Sequence, residues 1–119
     1  MRRHGCLREP DVWRRGCRLA VDIYKILPSS KDYGFKDQVF RSALSVPSNV
    51  AEGYERGSRK EFIRFLHIAK GSCGELRTQL YIGIEAGILD GGMAHGCASE
   101  AAEISWMLQG LISKLQSGH

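Results

Sequence analysis

The sequence predicts an all-α protein, an antiparallel up-down-up-down four-helix bundle, on three observations. Apolar residues recur at three- and four-residue steps through four long segments. Short stretches bearing Pro, Gly, Ser or Asp separate those segments, and short connections between long amphipathic helices favour antiparallel neighbours. No convincing strand pattern competes with them. At 119 residues the chain is one domain, able to bury about 65% of its unfolded surface, so it needs no disulfide or metal staple. Residues 1–10 are expected as a flexible N-terminus, 11–116 as the bundle domain and 117–119 as a tail.

The first helix is expected over Asp11–Leu27, where Trp13, Cys17, Ala20, Tyr24 and Leu27 form one apolar face. Pro10 suits the first turn, where a missing N–H does no harm. Asp11 with Arg15, and Arg18 with Asp22, are spaced as i,i+4 surface pairs. Pro28-Ser29-Ser30 stops the helix. The second helix is expected over Phe35–Ala51 on the stripe Phe35, Val39, Ala43, Val46 and Val50, with Gly53 as its left-handed terminator. Ser58 and Glu61 then have the spacing of a capping box.

The third helix, Arg59–Ile88, is the longest, with Phe62, Phe65, Leu66, Ala69, Cys73, Leu76, Leu80 and Ile84 inward. Gly71 and Gly74 are costly in a helix interior and are expected to permit close helix approach. Asp90-Gly91-Gly92 is the clearest turn. The fourth helix is expected over Ala94–Leu115, with Ala98, Ala101, Met107, Leu108, Leu111 and Leu115 inward.

Ser45 to Gly53, SVPSNVAEG, is the most informative stretch. A mid-helix proline removes one hydrogen bond and clashes with the carbonyl of residue 43, costing about 3 kcal/mol unless the helix kinks. Ser48 and Asn49 are near enough to supply donors to freed carbonyls. Gln38, Arg41, Ser45, Asn49 and Glu52 recur as a polar stripe, and Ser72, Glu75 and Gln79 make a similar one on the third helix. Small polar residues are poor choices for a merely solvated helix face, so the two stripes are expected to meet. The expected contact is a partly buried network in which Arg41 or Asn49 bonds Glu75 or Glu52.

Composition is that of a globular protein, 43% hydrophobic and 25% charged, with no apolar run of transmembrane length and no secretory h-region, so a cytoplasmic location is expected. The four cysteines lack CxxC pairing and read as reduced thiols, with Cys17 and Cys73 at core spacing. His95 with Cys97 is too sparse a pair for a metal site, so no metal or other cofactor is expected. The net charge of +4 is unevenly placed: residues 1–77 hold sixteen of the seventeen Lys and Arg against nine acids, and residues 78–119 hold only Lys114 against four. That asymmetry suggests a basic surface for a polyanion.

The pieces Val12-Trp13, Ile23-Tyr24, Gln38, Ser45–Gly53, Glu61-Phe62, Ala69, Gly71-Ser72 and Glu75-Leu76 together resemble the 23S rRNA-intervening-sequence proteins, small bacterial helical bundles, over about residues 12–90. The resemblance implies a left-handed up-down bundle that assembles into a ring-like homo-oligomer, with a pentamer as the expected count. It also relates the chain to accessory subunits of diversity-generating retroelements, where a basic pentamer binds nucleic acid. The fourth helix carries no motif of the family.

No P-loop, GxSxG or HExxH is present, and Glu52 with Glu75 reads as structural rather than as an acid/base pair, so no enzymatic activity is expected. His67 reads as a surface residue. The candidate nucleic-acid-binding residues are Arg14, Arg15 and Arg18 on the first helix, and Arg56, Arg59, Lys60 and Arg64 around the start of the third, where backbone N–H groups also favour phosphate. Without a stacking platform or a recognition helix, the expected partner is structured RNA or RNA/DNA met by shape and charge. The alternative is a scaffold or adaptor for an acidic protein. Phe40, Tyr54, Ile63, Ile68, Tyr81 and Ile82 fall off the core stripes, and that surplus argues for a subunit interface.

Overall fold

The computed structural model describes residues 10–28 and 32–118; the N-terminal stretch 1–9, Ser29, Ser30, Lys31 and His119 lie outside the described residues. Four helices follow one another: α1 (Asp11–Ile26), α2 (Tyr33–Glu55), α3 (Arg59–Glu85) and α4 (Gly91–Ser117). Contacts join α1 to α2, α2 to α3, α3 to α4 and α4 to α1, with none across either diagonal. This is the square of a four-helix bundle with antiparallel neighbours, 48 Å long and 25 by 20 Å across. No described helix is long and apolar enough to cross a membrane. α4 reaches Ser117, so the first residue of the expected tail belongs to the helix.

α2 follows the expected stripe: Val39, Ala43, Val46 and Val50 are fully buried, and Phe35 packs at the edge of the core. Its end differs from the expectation. The helix continues through Gly53, which is buried against α3, and a Cβ there would lie 2.7 Å from Phe65 Cβ. The left-handed residue is Gly57, at φ 83°. Gly53 is therefore a close-approach residue, and the chain turns four residues later. Ser58 then caps α3 by accepting from the Glu61 N–H at 3.1 Å, which is half of the expected capping box. The Glu61 carboxylate turns instead to Arg64 at 3.1 Å.

α3 ends earlier than expected, in a Schellman arrangement around Gly87 at φ 74°. The Gly87 N–H donates to Ile84 O and the Ile88 N–H to Gly83 O. Leu89 folds back onto Gly83, where a Cβ would come within 2.6 Å of its side chain. Gly71 and Gly74 meet nothing within 4 Å of an added Cβ, so they do not serve the close helix approach expected of them.

α1 departs most from its sequence reading. The buried residues are Val12, Gly16, Leu19, Ala20 and Ile23, whereas Tyr24 is 67% exposed. Ala20 is in the core as expected and Trp13 and Leu27 pack at its edge, but Trp13, Cys17 and Tyr24 each follow by one position a buried residue. They lie about 100° around the helix, toward α2. Gly16 decides the rotation, because a Cβ there would lie 3.3 Å from Pro47 Cβ. Only the glycine face can approach the proline so closely. α4 is shifted similarly: Ala94, Cys97, Ala101, Ile104, Leu108 and Ile112 form its buried face, while Ala98, Met107, Leu111 and Leu115 flank it.

Cys73 and Cys97 are buried, and Cys17 is half-buried beside α2. Burial pushes the Cys73 thiol up to about 11, which starves it of thiolate at neutral pH. Alkylation of the native protein near pH 8, read by peptide mass, is expected to modify Cys17 well before Cys73; equal rates would contradict this packing. Gly53→Ala is expected to destabilise by about 1–3 kcal/mol through overpacking. Gly71→Ala is expected to stabilise by about 0.5–1 kcal/mol through helix propensity. Urea unfolding of the two variants distinguishes their signs.

Candidate nucleic-acid interface

The polar stripes of α2 and α3 do meet, through hydroxyls rather than charges. Ser45 and Ser72 share a 2.7 Å Oγ–Oγ hydrogen bond across the helix contact. Asn49 Nδ2 donates to Ser45 Oγ and to Ser45 O, both at 2.8 Å, and Ser72 Oγ donates back to Ile68 O at 3.2 Å. Asn49 thus supplies the expected donor to a carbonyl near Pro47, whereas Ser48 faces a groove toward α1. The helix runs unbroken through Pro47, whose ring packs on Gly16.

The expected ion pairs of this network are not formed. Arg41 bonds Asp37 at 2.9 Å on its own helix, and Glu52 bonds Arg56 at 3.0 Å, all four groups being exposed. Gln38, Arg41, Ser42, Ser45, Glu75 and Gln79 line a shallow polar cleft, with Gln79 Oε1 enclosed and unpartnered. Because Ser45 faces Ser72, Glu52 lies opposite about residue 65, some 15 Å along the bundle from Glu75. Those two carboxylates cannot act on one substrate atom.

The antiparallel order brings the two predicted basic clusters into one half of the bundle, since α1 and α3 begin at the same end. With the Ser45–Ser72 contact as midline, residues 11–18, 45–72 and 105–117 hold nine Lys and Arg against four acids. The described remainder holds four against eight. The charge asymmetry along the sequence becomes a polarity along the bundle axis.

Within the basic half the arginines differ in what they touch. Arg15 is not a free surface cation: its guanidinium grips Glu100 of α4 through Nε at 2.8 Å and an NH2 group at 2.7 Å. That fork leaves α1 for α4, which replaces the expected pair with Asp11. The Glu100 hydrogen bond holds the Arg15 guanidinium above its ordinary range. Arg14 takes Asp11 instead, at 2.9 Å. Arg56 and Arg64 lie over the Phe65 ring, 4.9 and 4.4 Å from its centroid, and both reach Glu61. The Arg64 hydrogen bond, then the nearby Arg56 and Lys60 charges, hold the Glu61 carboxyl below its usual range. Arg59 donates to Gly118 O at 2.9 Å, tying the start of α3 to the end of α4. Arg18 and Lys60 are exposed and form no ion pair among the described residues. Sequence reasoning missed Lys70 and Lys114, which fall in the same half; Lys70 donates to Gln109 Oε1 at 2.6 Å.

His95 and Cys97 lie on different faces of α4, the first exposed and the second buried, and no group of three or more metal-ligating side chains occurs among the described residues. His67 is exposed on α3.

A family model described as the 23S rRNA-intervening sequence protein matches residues 8–110. Among solved structures, a protein of unknown function from the S23 ribosomal protein family of Bacteroides thetaiotaomicron is similar, with a TM-score of 0.79 and 24% sequence identity. That similarity covers 85% of this chain and 97% of the other, and it carries the fold. Comparison with curated proteins finds no match.

Ser72→Ala is expected to cost about 1 kcal/mol, the net worth of one partly buried hydrogen bond. Glu75→Ala is expected to stay within about 0.5 kcal/mol, as an exposed substitution does. A Ser45→Ala, Ser72→Ala double-mutant cycle without coupling would contradict the hydroxyl contact.

Proposed function

The chain belongs to the 23S rRNA-intervening sequence protein family, and from that premise we propose that it is a non-enzymatic, homo-oligomeric bundle that binds structured nucleic acid without base-specific readout. The observation that carries this reading is the axial charge polarity, nine Lys and Arg against four acids in the half where α1 and α3 begin. Arg18, Arg59 and Lys60 are the residues best placed to meet phosphate, with Arg14, Arg56 and Arg64 sharing their charge with neighbouring acids. Phosphate neutralisation releases counterions and needs no base contact. Assembly of several copies multiplies a modest basic end by avidity. Within this reading the protein works in the cytoplasm.

Structured RNA titrated at several salt concentrations is expected to give a log–log slope of several units. Reversing Arg59 and Lys60 together to Glu is expected to weaken binding and to flatten the slope by about two units, at one per lost phosphate contact, with the oligomer mass unchanged. No binding near 50 mM salt, where electrostatic attraction is strong, would overturn the RNA reading. An acidic protein bound by the same end would then take its place.

A further inference from the structure

α3 and α4 leave a shallow cleft of about 510 Å³ on their shared outer face. Lys70 and Arg77 line it from α3, and Ser105, Trp106, Gln109 and Gly110 line it from α4; no carboxylate is among its lining residues. Trp106 is 79% exposed, more than any other large hydrophobic residue described. An exposed apolar side chain is ordinary by itself. The setting of this one is not.

Lys70 Nζ donates to Gln109 Oε1 at 2.6 Å, and Gln109 Nε2 donates to Ser113 Oγ at 3.1 Å. That ammonium is held at the cleft wall with two donors to spare and no anion. Arg77 is exposed and in no ion pair among the described residues. With Lys70 beside Gln109 and the helices antiparallel, Trp106 lies level with about residue 73, between the two cations. Lys70 and Arg77 are two turns apart, about 10 Å along the axis, one on each side of the indole. Glu103, one turn before Trp106, faces the α1 side, where its charge acts on Arg15. An added Cβ at Gly74 of α3, or at Gly110 one turn beyond Trp106, would meet nothing within 4 Å. Glycine in a helix interior costs stability, and packing inside this chain requires it at neither position. The two glycines leave open space beside the indole.

We propose that this cleft binds an unpaired nucleotide, its base stacked on Trp106 and its flanking phosphates on Lys70 and Arg77, an inference that rests on the nucleic-acid reading above and adds a second contact to it. A planar ring accounts for an exposed indole with space against its face, and anionic linkages account for two cations without acids. A nucleotide within a strand carries a phosphate on either side of its base, as the cations stand on either side of the indole. A free nucleoside monophosphate carries one and engages one cation only. Stacking tolerates any base, because every base has a π-face, so the site needs no base-specific readout. No such platform is visible in the sequence, because the indole and the cations come from different helices.

The test is titration of the full chain with a short unstructured oligothymidylate, read by quenching of indole fluorescence and by anisotropy of a labelled strand. Thymidine monophosphate and inorganic phosphate serve as the comparison probes. Wild type is expected to bind the strand most tightly, the monophosphate less and phosphate least. W106A is expected to lose the quenching and to weaken the strand about tenfold or more, and W106F to weaken it less, since a smaller ring still stacks. K70Q/R77Q is expected to flatten the log–log salt slope by about 1.4 units, at about 0.7 per phosphate of a single strand. If W106A alters the circular dichroism, Gly110→Leu replaces it: the melting temperature is expected to rise while strand binding weakens several-fold. Unchanged strand affinity in these variants, or phosphate bound as well as the strand, overturns the stacking site. A fall in oligomer mass in W106A, with no strand bound by wild type, also overturns it and makes Trp106 a subunit contact. Structured RNA bound without the strand defeats this site alone, whereas binding of neither defeats the nucleic-acid reading beneath it.

Discussion

The packing of α2 around Pro47 is the constraint on which the rest of the bundle depends. Within one helical turn α2 presents a proline ring to Gly16 of α1 and a serine hydroxyl to Ser72 of α3. The first contact sets how close α1 approaches and which of its faces turns inward. The second sets the height of α3 against α2, because a hydroxyl pair at 2.7 Å tolerates no slip of a turn. Gly53, two turns further on, repeats the close approach against Phe65. A helix-breaking residue is thus tolerated mid-helix because its ring fills a site that only a facing glycine leaves open.

Once the register is set, the charges follow. The sequence holds its arginines early and its acids late, and antiparallel folding turns that into a basic half and an acidic half. Much of the basic charge is engaged locally: Arg15 ties α1 to α4, and Arg56 and Arg64 cradle Phe65 while sharing Glu61. Surface pairs of this kind add little stability, since solvent screens them. Their effect is to fix where guanidinium groups point. The proposed phosphate-binding end is therefore an ordered array with a few free cations at its margin.

α1 offers the bundle two faces. Its two apolar stripes are offset by one residue, and a four-helix core has room for only one. The stripe with Gly16 takes the core, and Trp13, Cys17 and Tyr24 are left lining a groove with α2. Ile63, which also falls off the core stripes, packs against the core, and Phe40 meets the Tyr24 ring at a tilt of 53°.

Much was legible in the chain. The four helices, their order, the α2 core stripe, the Ser58 cap and the family pieces around Ser45–Gly53 follow from periodicity and local chemistry, which a sequence carries directly; the turn expected at Asp90-Gly91-Gly92 lies instead at Gly87, with Gly91 and Gly92 opening α4. The meeting of the two polar stripes was legible as well, because small polar residues at helical spacing need a reason. What the sequence could not decide is which of two equivalent stripes on α1 faces inward, whether Gly53 ends a helix or admits a neighbour, and which acid each arginine takes. Those choices compare contacts between residues far apart in the chain, such as Gly16 with Pro47, Gly53 with Phe65 and Arg15 with Glu100. Periodicity registers that a face is apolar; only the tertiary structure decides what that face meets, because the decision rests on the shape of the partner.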